Sequence, residues 1–438
     1  MSTQDVEVKA ASKSNLLPPL HPSSLPTIKP GECAFRFPHS ESWRPLNEAT
    51  FARVNNCPSL QKEHYEELSS NKNVLSSALM KALQLPNLAF FAGSGTSLGK
   101  VGGPKMWDLW TKSMFQNGLD DELKANSEQL TEKAKAICNK VKYTDLDNPN
   151  IEHFLSSCDA YQQVYNDPDV NDFVCLVKSN VLKQCSEFLN KAGSDITSYQ
   201  TLLRKLAKRR VRDPRLKIFT TNYDMCFENS SANLGMMIVD GFSYTRKRRF
   251  DGRYFNYDVV DRNQDGQAFI QGVVQLYKLH GSVSWERYGS DIYEVDNPAA
   301  DKACLIYPAK GKYQQAFLQP HLELLSRFLE FLRQPNCCLV VSGFGFNDDH
   351  LSEPILAAVR SNPSFKLIIA DFAACSNIGK GSHYWQQLSE LASKGADVTF
   401  INATFDDMVD LIPNLVALSP AEKLAESINM FSQGNQHG

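Results

Sequence analysis

The stretch LAFFAGSGTSLGKVGGPKMWDLW, residues 88–110, carries the strongest structural signal in the chain. The apolar run over 88–91 predicts a buried strand, the loop after it holds Gly93, Gly95, Gly99, Gly102 and Gly103, and Pro104 suits the first position of a helix. A strand feeding a glycine loop that opens a helix gathers backbone N–H groups and the positive end of a helix dipole at one point, which suits an anion. Glycine lets that backbone turn sharply and approach a phosphate closely. Two familiar phosphate-binding patterns do not fit. A dinucleotide-dehydrogenase fingerprint has a third glycine where Leu98 stands, and a P-loop ends in Gly-Lys-Ser/Thr whereas Gly99-Lys100 precedes Val101.

Other short apolar runs also end in polar residues. The strand expected over 216–219 delivers Thr220-Thr221-Asn222-Tyr223-Asp224, the one over 273–279 delivers His280-Gly281-Ser282, and 337–342 delivers Gly343-Phe344-Gly345-Phe346-Asn347-Asp348-Asp349-His350. The run 365–370 ends in Asp371, which suits either a ribose hydroxyl or a turn, and further strands are expected over 236–239, 304–307 and 398–401. Open α/β sheets bind ligands at the carboxyl ends of their strands, so these residues form the candidate site. Asp224 also suits a helix cap.

Helical spacing of Val74, Leu75, Ala78, Leu79, Ala82 and Leu83 predicts a helix behind an Asn73 cap. Between 120 and 212 the pattern is almost wholly helical, with one stripe of Ile151, Phe154, Leu155, Cys158 and Tyr161, another from Phe173 to Leu189, and a third of Leu202, Leu203 and Leu206. These stripes read as core, and Glu152 and His153 as surface residues that could reach the cleft. A helix over 313–333 is expected to kink near Pro320. The run Arg246-Lys247-Arg248-Arg249 reads as solvated, with closure over phosphates or contact with nucleic acid as the other options. The resulting organisation is a Pro-rich N-terminal arm (1–55), unable to form a core alone and either disordered or packed on a neighbouring subunit, the start of an α/β domain (56–117), a helical insertion (118–213), and the remainder of the α/β domain with a C-terminal helix (214–438). The fold class is a Rossmann-like, doubly wound, mostly parallel sheet with an inserted helical module.

The chain has 438 residues, 42 % hydrophobic and 22 % charged, with a net charge of −3. That composition is globular, and the charge gives no overall attraction to nucleic acid or to anionic membranes. Eleven cysteines form no C-x-x-C pair, which argues against structural zinc and for reduced thiols in a cytoplasm. No apolar run approaches the ~18 residues of a membrane span.

Ala92-Gly93-Ser94-Gly95-Thr96-Ser97 with Gly102-Gly103-Pro104, then Thr220-Thr221-Asn222-Tyr223-Asp224, Leu279-His280-Gly281, and the loop from Gly343 to His350 resemble, in order, the motifs of the sirtuin-like (silent information regulator-like) superfamily. The resemblance implies NAD bound across the carboxyl edge of the sheet and cleavage of its nicotinamide–ribose bond. It implies Asn222, His280 and Asp224 as catalytic residues, and Gly93, Gly95, Thr96, Ser97, Thr221, Gly343 and Asp371 as NAD-binding. Chemically, Asn222 can fix a ribose hydroxyl or the attacking water, His280 can act as general base, and Asp224 can orient Asn222 or cap its helix. Deacylases of this superfamily carry paired cysteines on zinc and an Asp-Phe-Arg after the first motif. Here Lys105-Met106-Trp107 follows Pro104 and a helical insertion replaces the zinc module. That pattern resembles the bacterial NAD hydrolases of anti-phage defence, implying an oligomer, no zinc, and a possible hexameric DNA-translocating ATPase partner. A protein deacylase or ADP-ribosyltransferase, a non-catalytic NAD or ADP-ribose sensor, and, last, a dehydrogenase stay open.

Overall fold

The computed structural model describes residues 28–115, 130–209, 213–262, 268–307 and 318–415. The parts of the expected N-terminal arm over 1–27, of the helical pattern over 120–129 and 210–212, of the helix over 313–317 and of the C-terminal helix over 416–438 lie outside those residues.

The strands are β1 (Ala34–Arg36), β2 (Arg44–Pro45), β3 (Asn87–Ala92), β4 (Leu216–Thr220), β5 (Met237–Val239), β6 (Val260–Asp261), β7 (Ala268–Phe269), β8 (Val273–Lys278), β9 (Gly281–Tyr288), β10 (Asp291–Glu294), β11 (Ala303–Leu305), β12 (Cys337–Ser342), β13 (Phe365–Asp371) and β14 (Val398–Asn402). The α-helices are α1 (Glu48–Val54), α2 (Lys62–Leu83), α3 (Met106–Met114), α4 (Glu132–Lys140), α5 (Ile151–Tyr165), α6 (Pro168–Glu187), α7 (Thr197–Leu206), α8 (Cys226–Leu234), α9 (His321–Leu332), α10 (Asp349–Ser361), α11 (Ala374–Lys380), α12 (His383–Ser393) and α13 (Phe405–Leu411).

Nine strands make one sheet in the order β2-β1-β14-β13-β12-β3-β4-β8-β5. From β14 to β5 every pairing is parallel, while β1 and β2 add antiparallel edges. From β3 the chain builds first through β4, β5 and β8 on one side and then through β12, β13 and β14 on the other. The crevice between the carboxyl ends of β3 and β12 is therefore the switch point of a doubly wound sheet. Side chains of the central strands alternate between two buried faces. Ala89 and Phe91 of β3 join Leu339 and Val341 of β12 under α9, α10 and α12, whereas Leu88 and Phe90 join Cys338 and Val340 under α2, α7, α8 and α13. Burial on both faces is why these strands read as unbroken apolar runs.

A third core belongs to the insertion. Trp110 and Met114 of α3, Ile137 of α4, Phe154 of α5 and Phe173 and Val177 of α6 pack with Val283, Leu305 and Tyr307 from the strands beside the site. The sequence reading grouped all helices from 118 to 213 in the insertion, but Tyr199, Leu202, Leu203 and Leu206 of α7 pack on the main sheet.

Several local expectations need correction. The first long helix begins at Lys62 behind Gln61, not behind Asn73. The glycine loop does not run directly into a helix at Pro104. It closes into a single 3-10 turn, Ser94–Ser97, and α3 starts at Met106, where the Asp108 carboxylate accepts from the Lys105 N–H at 2.7 Å. Pro320 does not kink a helix but precedes α9, where a missing N–H costs nothing. The strand at Ala303–Leu305 lies outside the main sheet, pairing with β9 in a small antiparallel sheet β10-β9-β11. The described part of the N-terminal arm, expected as disorder or as a contact with another subunit, is bound to its own chain. β1 pairs with β14, and the Asn402 amide donates to the carbonyls of Lys29 and Glu32.

At the switch point the two halves of the fold meet backbone to backbone. The Gly93 N–H donates to Ser342 O at 2.9 Å and the Gly95 N–H to Gly343 O at 2.9 Å. A Cβ on Gly95 would lie 2.7 Å from Gly343 Cα, and one on Gly343, where φ is +62°, would lie 2.5 Å from Thr96 N. Gly343→Ala combines a left-handed backbone with an overpacked contact, each costing on the order of 1–3 kcal/mol. It is expected to lower the thermal unfolding midpoint by several degrees or more, as scanning calorimetry would read.

Candidate functional site

The cleft above the switch point has a volume of about 360 Å³, within the range of small-molecule sites. Its floor and one wall come from the strand ends: Ser94 and Ser97 after β3, Thr221, Asn222, Tyr223 and Asp224 after β4, His280 after β8, and Phe344, Asn347 and Asp348 after β12. The insertion supplies the other wall with Met106 and Leu109 of α3, Asn150 and Glu152 at the start of α5, and Cys185 and Phe188 at the end of α6. The strand-end loops are stitched by a continuation of the sheet's hydrogen bonding. Thr221 N donates to Ala92 O at 3.2 Å and Leu279 N to Thr220 O at 2.8 Å.

Beneath the cleft lies a buried polar network with a fixed polarity. The Thr96 hydroxyl donates to Gly93 O at 2.9 Å, and the Ser97 hydroxyl donates to Asp224 Oδ2 at 2.7 Å. With their protons committed, both oxygens accept, and Asn222 Nδ2 donates to Thr96 Oγ1 at 3.0 Å and to Ser97 Oγ at 2.9 Å. Both amide hydrogens of Asn222 are thereby used, which leaves Oδ1 as the atom Asn222 offers to a ligand's hydroxyl or to water. Tyr199 of α7 bridges the same two hydroxyls at 3.0 and 3.1 Å. Asp224 acts at both ends of its carboxylate, since Oδ1 accepts from the Cys226 N–H at 3.0 Å at the start of α8. It is both the orienting group and the cap that the sequence allowed.

His280 is 3 % exposed, and its Nε2 stands 3.2 Å from Nε2 of His350 in the first turn of α10. Below it the Lys278 ammonium is buried against Glu228 at 2.8 Å and donates to Asp224 O. Burial pushes the Glu228 carboxyl up, with Lys278 pulling the other way. Cys185 is a nucleophile by residue type, but burial, aided by the Asp224 charge, pushes its thiol up to about 12. It stays protonated at neutral pH and is inert as a nucleophile.

The cleft thus gathers Asn222, His280, Asp224, Ser97 and Thr221, with Thr96 buried beneath Asn222. Gly93, Gly95 and Gly343 serve the contact between the two loops, a structural reason for glycine that their sequence pattern did not reveal. Asp371 is not among the cleft-lining residues. Its Oδ1 accepts from Ala373 N at 2.8 Å and Asn377 Nδ2 at 2.9 Å, so it shapes the turn before α11. Glu152, weighed as a surface residue, lines the cleft, whereas His153 does not. Arg248 of the basic run is consumed by Asp240 and Glu294. Sequence reasoning gave no role to Tyr199, hidden in a core stripe, or to His350, whose signal was its place in the loop after β12. Among the described residues no group of three His, Cys, Asp or Glu side chains is arranged to hold a metal ion.

Residues 216–380 match the family model described as a SIR2-like domain. The matched region runs from β4 into α11 and holds Asn222, Asp224, His280 and His350. Among solved structures, a crystal structure of a Sir2 homologue–NAD complex matches with 13 % identity and a TM-score of 0.39, over 76 % of this chain and 91 % of the other. A structure described under the mechanism and regulation of Sir2 enzymes matches with 10 % identity and a TM-score of 0.37, over 78 % and 98 % of the two chains. No curated protein matches the chain.

Asp224→Asn keeps an oxygen for the Cys226 cap but presents an N–H to Ser97, reversing the hydroxyl and with it the Asn222 amide. The Asn222 side-chain N–H groups are expected to turn from the Thr96 and Ser97 hydroxyls toward the cleft, while thermal unfolding moves little. The side-chain amide signals of ¹⁵N-asparagine-labelled protein and the melting curve check both.

Proposed function

We propose that the chain is an NAD glycohydrolase, cleaving the nicotinamide–ribose bond with water to give nicotinamide and ADP-ribose. The observation that carries this reading is the fixed polarity of the Asn222 amide, whose Oδ1 is offered to the cleft beside His280 at the carboxyl edge of a SIR2-like domain. The match of residues 216–380 to a SIR2-like domain supports NAD as the ligand class.

The chemistry asks little of the protein in the way of acid catalysis. Nicotinamide leaves as a neutral base, because the electron pair of the breaking C1′–N bond neutralises the pyridinium. The site must hold the ribose, stabilise an oxocarbenium-like transition state and admit one nucleophile. Asn222 Oδ1 accepts a hydrogen bond from the attacking water or from a ribose hydroxyl. His280 takes the water's proton as the new C1′–O bond forms, a role worth ~10²–10⁴ in rate. Asp224 acts through Ser97 and Thr96 through its own hydroxyl to keep the Asn222 amide aligned. The strand-end loops carrying Gly93, Gly95 and Gly343 would offer bare backbone to a pyrophosphate.

Water is favoured over an acyl-lysine by what surrounds the cleft. A deacylase needs a groove for its peptide, whereas α3, α5 and α6 wall the cleft here, and the sequence has no C-x-x-C pair to mark a zinc module. The same substitution of a helical insertion supports the reading that this is the NAD-depleting effector of a bacterial anti-phage system, working as an oligomer in the cytoplasm and paired with an ATPase.

Incubation of the purified chain with NAD, with and without an acetylated peptide, should yield nicotinamide and ADP-ribose independently of peptide. Asn222→Ala and His280→Ala should each lower the rate at least 100-fold with the fold intact, read by product chromatography. Peptide-dependent nicotinamide release would identify a deacylase, and saturable NAD binding without products a sensor.

A further inference from the structure

The contact between His280 and His350 is buried, close, and unused by the mechanism above. Their Nε2 atoms are 3.2 Å apart and the ring planes are inclined by 27° with centroids 5.3 Å apart. The contact also spans the fold. His280 follows β8 in one half of the doubly wound sheet, His350 opens α10 after β12 in the other, and β3 and β4 lie between those strands. His350 is held firmly: Leu351 N donates to Asp348 O at 3.0 Å, Leu351 and Ile355 are buried in the core under the sheet, and the loop before it is pinned by the Trp385 indole donating to Gly345 O at 3.0 Å.

Two imidazole nitrogens at this separation admit only one arrangement of protons. Two lone pairs repel, two N–H groups clash, and two imidazolium cations in contact repel strongly, so one proton lies on the line between the rings. If His350 were the donor, His280 in its neutral form would carry its remaining proton on Nδ1 and could not act as a base. If His280 is the donor, its Nδ1 holds the lone pair and His350 is the Nδ1–H tautomer. Only the second arrangement is a general base.

We infer that His350 is a positioning residue that accepts the Nε2 proton of His280 and so holds His280 in the tautomer able to take a proton at Nδ1. This rests on the reading of His280 as the general base of NAD hydrolysis. During the step the O–H bond of water breaks, Nδ1–H and O–C1′ bonds form, and the C1′–N electron pair leaves with nicotinamide. The imidazolium formed on His280 keeps its Nε2–H on the neutral His350, and that hydrogen bond becomes charge-assisted and stronger. The other ionisable side chains facing the cleft are Asp224, Asp348, Glu152, Tyr223 and Lys105, with Cys185 at its edge.

The experiment compares the full chain with His350→Gln and His350→Ala. It reads steady-state nicotinamide release, the pH profile of kcat, thermal unfolding, and the side-chain nitrogen spectrum of ¹⁵N-histidine-labelled protein. His350→Ala should lower kcat about 10- to 100-fold with KM within twofold, and should move the acidic limb of the kcat profile. His350→Gln, whose amide oxygen can accept from His280, should recover part of the loss. In the wild type, His280 should show the Nε2–H tautomer, and this signature should be lost in His350→Ala. Turnover within twofold of wild type in both variants, a loss confined to KM with an unmoved pH profile, or a His280 signal that ignores the substitution would overturn the inference. Should His350→Ala fail to fold, His350→Gln and the wild-type spectrum decide. A wild-type chain that leaves NAD intact, or a His280→Ala variant that retains turnover, would overturn the hydrolase reading instead, and the histidine spectrum still reports whether the rings share a proton.

Discussion

The structure depends on the approach of two backbone loops at the switch point of the sheet. Gly95 N–H meets Gly343 O at 2.9 Å, and no side chain larger than hydrogen fits between them. That contact joins the half of the sheet built from β3, β4, β5 and β8 to the half built from β12, β13 and β14. It also sets the height at which every strand-end residue stands. A phosphate-binding role for these glycines and a packing role make the same demand on the backbone, since both need it bare.

From that contact the rest of the site follows by hydrogen-bond direction. Gly93 O accepts from the Thr96 hydroxyl, Asp224 accepts from the Ser97 hydroxyl, and the two hydroxyl oxygens together orient one amide. The Asp224 carboxylate at the end of the chain, an acceptor to both Ser97 and Cys226, sets that direction. Tyr199 closes the network from α7, which ties the position of a helix on the sheet to the orientation of the side chain at the centre of the cleft. The insertion contributes differently. It has its own aromatic core around Trp110, Phe154 and Phe173, and meets the site with the ends of its helices. It walls one side of the cleft.

Much of this was legible in the chain. The strands of the main sheet read as apolar runs because they are buried on both faces, and the polar residues at their carboxyl ends marked the site because open α/β sheets expose little else there. The motifs at Asn222 and His280 stand out for the same reason. The hairpin β9-β10 was not legible, since its buried apolar residues Val283, Trp285 and Ile292 are separated by serines and charged residues and give no unbroken run. Nor was the start of α3, where Pro104 suggested a first position and the Asp108 carboxylate set another. Glu152 looked like a surface residue because helical periodicity says which face is apolar and nothing about what another element brings against the polar face.

The α/β class, the succession of main-sheet strands and the residue types delivered to each strand end are legible in the chain alone. These are local consequences of side-chain periodicity and of glycine and proline geometry. Folding adds which way the Asn222 amide faces, that Asp371 serves its own turn, that α7 packs on the sheet, and that His350 stands against His280. Each of those depends on the distance between residues far apart in the chain, and hydrogen-bond direction and proton sharing exist only once that distance is fixed.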